Sequence, residues 1–224
     1  MASQPKLLTE HLRTACEITN CGIGTRLLQI GASDGSSADP VLPLIRTNPR
    51  WAFFLVEPRR ALFDELARRH IKRENVIVHQ AAIIPPADEE GIVSMYEYAE
   101  DEALPRWVRH VASIDQSIVQ QHNTQRAEDH DQPLGTIVEV SAIGQHFDTA
   151  MQQMCCNSPD VVVCNMMGSE YLVVEAVLPH NPRVICYNHN FMPQPLRKSV
   201  AKSLADAGYT RHFTGRAEQV WLRA

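Results

Sequence analysis

Short, almost wholly apolar runs alternate along this chain with segments of helical pattern, and this alternation limits the folds open to it. Residues 51–56 read WAFFLV and residues 161–164 read VVVC, without the polar alternation of a strand that has one face in water. Apolar strands of this kind are buried on both faces, and strands joined through helices pair in parallel. The sequence therefore predicts an α/β fold, with a mainly parallel sheet covered by helices on both faces.

The same pattern gives bounds for the individual elements. The predicted strands are 26–30, 51–56, 75–79, 92–98, 136–140, 161–164, 183–187 and a terminal hairpin of 209–214 with 218–223. The predicted helices are 38–46, which Pro43 keeps short, then 59–70, 143–154, 170–178 with Ser169 as its cap, and 196–207, which ends at Gly208.

The domain organisation follows from where the alternation weakens. Residues 1–24 are predicted to form an N-terminal helical segment, and residues 25–224 a single domain. Within that domain, residues 85–133 lose the regular pattern and are predicted to be a small insertion or lid. It holds helical pieces around Trp107 and 115–121, and a polar stretch at 123–133 that predicts a mobile loop.

The first strand runs into a glycine-bracketed loop, Gly31-Ala-Ser-Asp-Gly35. A P-loop needs a lysine that is absent here, and a dinucleotide loop needs Gly-x-Gly-x-x-Gly, which the spacing does not match. Glu57, at the end of the second strand, does match the acid that binds ribose hydroxyls. Alone, the loop can simply make the strand-to-helix turn; with Glu57 it favours a nucleoside ligand without phosphate.

Ligands of parallel sheets bind outside the carboxyl ends of the strands, beside the first strand of the chain. The loop at 31–35 and Glu57 follow the first two predicted strands, and Gln80 and Asn165 follow two others. We therefore expect these four features to lie on one rim of the sheet.

Several strings, taken in order, resemble the S-adenosylmethionine-dependent methyltransferases of the FkbM family: LLQIGASDGSSADP, FFLVEP, NVIVHQAAI, LPRWVRHVASID, VVVCNMMGSEYLVVEAVL, VICYNHNF and AGY. The resemblance spans roughly residues 25–215 and implies a Rossmann-like class I methyltransferase fold, with seven strands of which the last is inserted antiparallel. It implies S-adenosylmethionine as cofactor, with its methionine part at 31–35, its ribose at Glu57 and its adenine beside Gln80. The cofactor-binding residues it implies are Gln29, Gly31, Ala32, Ser33, Asp34, Gly35, Glu57, Pro58, Gln80, Ala81, Ala82 and Asn165.

The chain departs from the family pattern after two strands. Where the family reads Asp-x-Glu-Gly-x-Asp/Glu, this chain has Asn165, Met167, Gly168 and Glu170, and where one branch reads Tyr-Glu-His it has Asn188. An amide or thioether takes no proton at neutral pH, and hard cations prefer carboxylates. We therefore predict no metal, and a catalytically silent fold that binds cofactor or a partner stays open.

Methyl transfer requires alignment and, for a hydroxyl acceptor, removal of a proton, whereas a carboxylate acceptor needs no base. The candidate catalytic residues are His189, Glu170 and His110. Each histidine has a plainer alternative, as a hydrogen-bonded structural residue for His189 and as a surface residue for His110. Trp107 and Asp115, on the insertion, are predicted to contact substrate.

Composition narrows the partners. The 224 residues carry a net charge of −5, so we expect no nucleic acid, and no apolar stretch approaches a membrane span. The six cysteines lack a C-x-x-C pair and the start does not resemble a signal peptide, which favours free thiols in a cytoplasmic protein. A homodimer is left open.

The sequence thus predicts a cytoplasmic S-adenosylmethionine-dependent methyltransferase that acts on a hydroxyl or carboxylate oxygen of a small, specialised metabolite. Two other classes remain: the silent fold, and an NAD-dependent oxidoreductase, which the missing Gly-x-Gly disfavours.

Overall fold

The computed structural model describes residues 4–36, 39–130 and 134–223. The strands are β1 (Arg26–Ile30), β2 (Ala52–Val56), β3 (Val76–His79), β4 (Ala82–Ile83), β5 (Gly91–Tyr98), β6 (Ala112–Ser113), β7 (Ile137–Gln145), β8 (Val161–Cys164), β9 (Val184–Asn188), β10 (Tyr209–Thr214) and β11 (Glu218–Arg223). The α-helices are α1 (Gln4–Ile18), α2 (Leu42–Thr47), α3 (Arg60–His70), α4 (Gln116–His130), α5 (Phe147–Gln153), α6 (Glu170–Val177) and α7 (Gln194–Asp206), with short 3₁₀ helices at Arg106–His110 and Leu178–His180.

Seven strands form the main sheet, in the order β10-β11-β9-β8-β1-β2-β3. The pairs from β9 to β3 are parallel, and β11 lies antiparallel between β9 and β10. The predicted seven-stranded, mainly parallel sheet with an inserted antiparallel strand is therefore confirmed.

The central strands of the main sheet are buried on both faces, and their successive side chains point to opposite sides. Leu28 and Val162 pack on one side with residues of α5, α6 and α7. Leu27 and Val161 pack on the other with residues of α1, α2 and α3. The prediction of helices on both faces is thus confirmed, and the N-terminal helix covers one face.

A second, four-stranded sheet, in the order β4-β7-β5-β6, corrects the prediction for residues 136–154. The sequence pattern ended a strand at Val140 and began a helix at Ile143, whereas β7 continues to Gln145 and α5 begins at Phe147. The strand continues because it pairs antiparallel with all of β5, from Gly91 opposite Gly144 to Tyr98 opposite Ile137. The irregular region therefore belongs to a sheet whose strands extend from 82 to 145, wider than 85–133.

The polar stretch that predicted a mobile loop at 123–133 is mostly helix, since α4 continues to His130; residues 131–133 lie outside the described residues. Two of its polar side chains, Asn123 and Arg126, are buried and paired inside the protein. The buried Asn123 amide donates to Gly135 O (2.7 Å) and accepts from Gly135 N (2.9 Å), while Arg126 donates to Asn123 (3.2 Å). These bonds tie α4 to the chain that returns into β7.

The helix predicted at 38–46 is short, but it begins at Leu42, which places Pro43 in its first turn, where proline is tolerated; Ala38 lies outside the described residues. All six cysteines are free thiols. None of the helices within 4–36, 39–130 and 134–223 is long and apolar enough to cross a membrane.

Candidate functional site

The loop after β1 and the loop after β8 touch at the rim of the main sheet. Gly31 has a φ of +78°, and a Cβ there would lie 2.0 Å from the backbone oxygen of Asn165. The amides of Gly31 and Ala32 both donate to Val56 O, at 2.9 Å, so the loop crosses the end of β2. Glycine is required at residue 31 because any side chain would push the two loops apart.

Glu57 follows β2, and its carboxylate holds the loop after β1 in place. Its side chain is only 2% exposed. Oε2 accepts from Ser33 N (2.8 Å), and Oε1 accepts from Arg59 Nε (3.0 Å) and Arg59 N (3.2 Å). Ser33 has a left-handed φ of +54°, which this bond helps to hold. Oε2 accepts one bond from the described residues and retains capacity for another.

A cavity of about 300 Å³ opens at this rim, between the carboxyl ends of the main strands and the second sheet. The predicted cofactor residues that line it are Gln29, Gly31, Ala32, Ser33, Asp34, Glu57, Pro58, Ala81, Ala82 and Asn165. Two of the predicted cofactor residues, Gly35 and Gln80, do not line this cavity. A Cβ on Gly35 would meet Leu66 of α3 at 2.6 Å, so this glycine serves helix packing. The Gln80 amide donates to Pro58 O at 3.4 Å.

Two polar side chains at one end of the cavity have unused acceptors. Gln29 Nε2 donates to Asp39 Oδ1 at 3.0 Å, and Asp39 Oδ1 also accepts from Val41 N. Gln29 Oε1 and Asp39 Oδ2 are buried and have no hydrogen-bond partner among the described residues. Burial raises the pKa of Asp39 to about 6. Burying an acceptor without a donor costs free energy. Gln29 and Asp39 are therefore suited to bind a ligand that donates several hydrogen bonds.

Asp39 was missed as a site residue in the sequence, where Asp39-Pro40 was interpreted as the start of a helix. Two features of the sequence could have indicated this role. Asp39 lies eight residues after Gly31, behind a polar run, and Gln29 supplies another side-chain acceptor just before the loop. The pairing of the two side chains becomes visible only in three dimensions.

Hydrogen bonds and an ion pair hold residues 106–110 of the insertion over the cavity. Arg59 donates from Nη1 to Arg109 O (2.6 Å) and from Nη2 to His110 O (3.4 Å). Arg109 Nη2 lies 3.0 Å from Asp34 Oδ2, and His110 Nδ1 lies 2.6 Å from Ser33 Oγ. Residues 106–110 therefore close the cavity through bonds to the same loop that Glu57 supports.

Of the three catalytic candidates, His110 lines the cavity. Burial lowers the pKa of His110, so its imidazole is neutral at neutral pH. One ring nitrogen is paired with Ser33; the other has no hydrogen bond to the described residues. A neutral, oriented imidazole of this kind is able to accept a proton from a group inside the cavity.

Glu170 and His189 lie elsewhere. Glu170 is 1% exposed, and its two oxygens accept from Met166 N (2.8 Å) and Gly168 N (2.9 Å), so it braces the loop after β8. Burial raises the pKa of Glu170 to about 7. His189 follows β9 and its amide donates to Ala217 O (2.7 Å), facing the terminal hairpin. Neither lines the cavity, so we leave both out of the proposed chemistry.

The residues that depart from the family pattern, Met167, Asn165 and Asn188, make specific contacts in the structure. Met167, in a left-handed conformation (φ +51°), packs with Tyr98, Val108 and Ile118 of the insertion, and its carbonyl accepts from Ser113 Oγ at 3.1 Å. A thioether here therefore contributes apolar contact between the β8 loop and the insertion. Asn188 donates to Asn165 Oδ1 at 3.3 Å, so the two amides are joined to each other.

The two predicted substrate contacts are separated. Trp107 lines the cavity just described, whereas Asp115 lines a neighbouring cavity of about 380 Å³. Among residues 4–36, 39–130 and 134–223, no three histidine, cysteine or acidic side chains come together as a metal site.

Comparison with solved structures gives the fold. The chain is similar to the CurJ carbon methyltransferase (TM-score 0.51, 10% identity, 98% of this chain and 54% of that one) and to the METTL16 methyltransferase domain (0.50, 11%, 100% and 70%). It is also similar to fibrillarin from Aeropyrum pernix, solved with bound S-adenosyl-L-methionine (0.47, 12%, 96% and 76%). No family model and no curated protein matches the chain. At these identities the likeness shows the fold alone: a class I methyltransferase fold.

Proposed function

We propose that this protein is an S-adenosylmethionine-dependent methyltransferase, of the FkbM kind that its motifs resemble. The observation that carries the proposal is the polarity of the cavity. Among its described lining residues, Arg59 is the one arginine or lysine, and its guanidinium is held by Glu57 and two carbonyls. The cavity therefore offers acceptors for hydroxyls and an ammonium group, and its described lining has no free cation that would favour an anionic ligand.

The lining residues match the parts of this cofactor in order. Ala81 and Ala82 supply an apolar wall for adenine, and Glu57 Oε2 accepts from a ribose hydroxyl. Asp39 Oδ2 and Gln29 Oε1 accept from the α-ammonium group, which has three donors. When bound, the cofactor supplies an electrophilic methyl group on sulfur.

The chain's own residues supply alignment and a proton acceptor. The Gly31 loop, held by Glu57 and by Val56 O, orients the ligand's amino-acid end. His110, fixed through Ser33, takes the proton of a hydroxyl acceptor. O-methylation of a small metabolite is the reaction that this arrangement fits best. Location in the cytoplasm, absence of nucleic-acid partners and a homodimer stay predictions.

Calorimetry with S-adenosylmethionine, S-adenosylhomocysteine and NAD tests this proposal. We expect both sulfur compounds to bind with micromolar or better affinity and NAD not to bind. Binding of NAD alone would support the oxidoreductase, and binding of none of the three would refute the cofactor assignment.

Asp39→Asn is expected to weaken S-adenosylmethionine binding about tenfold at pH 7, because a hydrogen bond to a charged group contributes roughly 1.5–3 kcal/mol. The ammonium favours ionised Asp39, whose pKa in the free protein is about 6. Below pH 6 binding must displace a proton, so wild-type affinity falls as the pH drops from 7 to 5, and the variant shows a flatter profile. His110 is present in both proteins, so the difference between the two calorimetric pH profiles isolates Asp39.

A silent, cofactor-binding fold is the second candidate, favoured by Met167, where the family has an acid. It predicts calorimetric binding of S-adenosylhomocysteine without conversion of S-adenosylmethionine on any acceptor, whereas the methyltransferase predicts turnover that His110→Gln reduces.

A further inference from the structure

The neighbouring cavity meets the cofactor cavity at two residues, Ile114 and Ser169, which line both. Ser169 precedes α6 and is 7% exposed, yet its hydroxyl makes no side-chain cap and no hydrogen bond to the described residues. A hydroxyl without a partner among the described residues, placed where two cavities join, is suited to bind a ligand that crosses the junction.

The second cavity is built by close contact between separate parts of the chain. A Cβ on Gly168 would lie 3.1 Å from Ile118 Cδ1 of α4 and 3.2 Å from Phe191 O, before α7. Gly168 has a φ of +101°, which disfavours a side chain as well. The loop after β8, the start of α4 and the start of α7 thus converge around this space.

The walls of the second cavity are partly apolar and partly polar, and the charged side chain among its described lining residues is an acid, Asp115. The described lining residues are Tyr96, Ile114, Asp115, Gln116, Ile118, Gly168, Ser169, Tyr171, Pro193 and Leu196. They include no lysine, arginine or histidine. The adjacent Arg197 donates to Met192 O and Asn190 O. Asp115 Oδ1 accepts from the amide and hydroxyl of Ser117 and caps α4; Oδ2 has no partner among the described residues.

We propose that this second cavity binds the methyl acceptor: a small molecule with a hydroxyl group and without negative charge. Ser169 is a positioning residue that directs the acceptor hydroxyl through the junction. This inference rests on the proposed function and disfavours one of its alternatives, because a carboxylate acceptor would enter beside the exposed carboxylate of Asp115, which repels it, and the described lining residues offer no cation to pair with it.

The transfer step balances without another reactant. The acceptor oxygen forms a bond to the methyl carbon, and the carbon–sulfur bond breaks with its electron pair remaining on sulfur. The hydroxyl proton passes to the ring nitrogen of His110 that Ser33 does not use. The products are the methyl ether, S-adenosylhomocysteine and protonated His110, which returns its proton to solvent.

Two phenols of equal shape test the charge requirement: neutral 4-hydroxybenzamide and anionic 4-hydroxybenzoate. Binding is measured by ligand-observed NMR, with and without S-adenosylhomocysteine. We expect the amide to bind at least tenfold more tightly. Asp115→Asn keeps an oxygen to cap α4 and should reduce that ratio about threefold. Equal binding of the two probes, or preference for the acid, contradicts the proposal.

Leu196→Trp fills the second cavity, and Ser199→Trp places the same side chain on the exposed face of α7 as a control. We expect Leu196→Trp to abolish amide binding, with S-adenosylhomocysteine affinity within twofold of wild type and a thermal melt showing a folded protein; Ser199→Trp should retain both ligands. Amide binding that survives in Leu196→Trp, or no binding of the amide to the wild type, overturns the acceptor site. Failure of S-adenosylhomocysteine to bind the wild type overturns the proposed function instead.

Discussion

Gly31→Ala is expected to lower the free energy of unfolding by roughly 2–5 kcal/mol, as the sum of a left-handed alanine, about 1–2 kcal/mol, and an overpacked contact, about 1–3 kcal/mol. The new Cβ would lie 2.0 Å from Asn165 O, a backbone atom that cannot rotate away. Separation of the two loops would also spoil the cofactor cavity. Urea unfolding measures the first effect, and calorimetry with S-adenosylhomocysteine measures the second.

Gly24→Ala is the matched control, because Gly24 has nearly the same φ, +81°, but a Cβ on this residue would meet no described atom within 4 Å. It should cost about 1–2 kcal/mol, the conformational part alone, and leave ligand affinity unchanged. Equal costs for the two substitutions would show that the Gly31–Asn165 contact does not shape the site.

Glu57→Ala is expected to destabilise the protein by about 3–5 kcal/mol, because it removes one partner of a buried ion pair. The Glu57 and Arg59 side chains are 2% and 8% exposed, and the amide of Ser33 loses its acceptor as well. We also expect affinity for S-adenosylmethionine to fall at least tenfold, since the ribose loses its carboxylate and the Gly31 loop its support.

Glu97→Ala controls for charge near Arg59: Glu97 lies 3.8 Å from the same guanidinium, is 28% exposed and does not line the cavity. It should cost less than 1 kcal/mol, as partly exposed ion pairs do, and should not alter cofactor affinity. Wild-type affinity in folded Glu57→Ala, measured by the same calorimetry, would mean that the ribose lies elsewhere.

The sequence predicted the central strands of the main sheet, β1, β2, β8 and β9, well because they are buried on both faces. The bounds of β1, β8, β10 and β11 agree residue for residue with the apolar or alternating runs. Burial on both faces leaves few polar residues in such strands, so their ends are marked by glycine and polar residues. Local pattern is sufficient there.

The local sequence pattern was not sufficient to predict the second sheet. The end of β7 at Gln145 depends on pairing with β5 and β4, each far along the chain, and Gly144 favours neither strand nor helix by itself. Helix α4 is mostly polar after Val119, and its buried Asn123 gains its partner only when Gly135 is brought against it. Such partners are set by tertiary contacts.

The location of the candidate site could also be predicted from the sequence, whereas the roles of several of its side chains could not. Strand ends predicted the rim, so Gly31, Glu57 and Asn165 were found. The roles of side chains after the strands were not predictable, because Glu170 could face a cavity or the adjacent backbone amides. The structure turns it toward Met166 N and Gly168 N. Asp39 acquires its meaning only beside Gln29.

The most direct test of the central claim is a crystal structure of the full chain with S-adenosylhomocysteine. We predict the ligand in the cavity at the ends of β1 and β2, with its ribose on Glu57, its adenine against Ala81 and Ala82, and its ammonium group on Asp39 and Gln29. Its sulfur should face Ser169 and the junction with the second cavity. A ligand bound elsewhere, or reversed so that its amino-acid end lies at Ala81, would contradict this account.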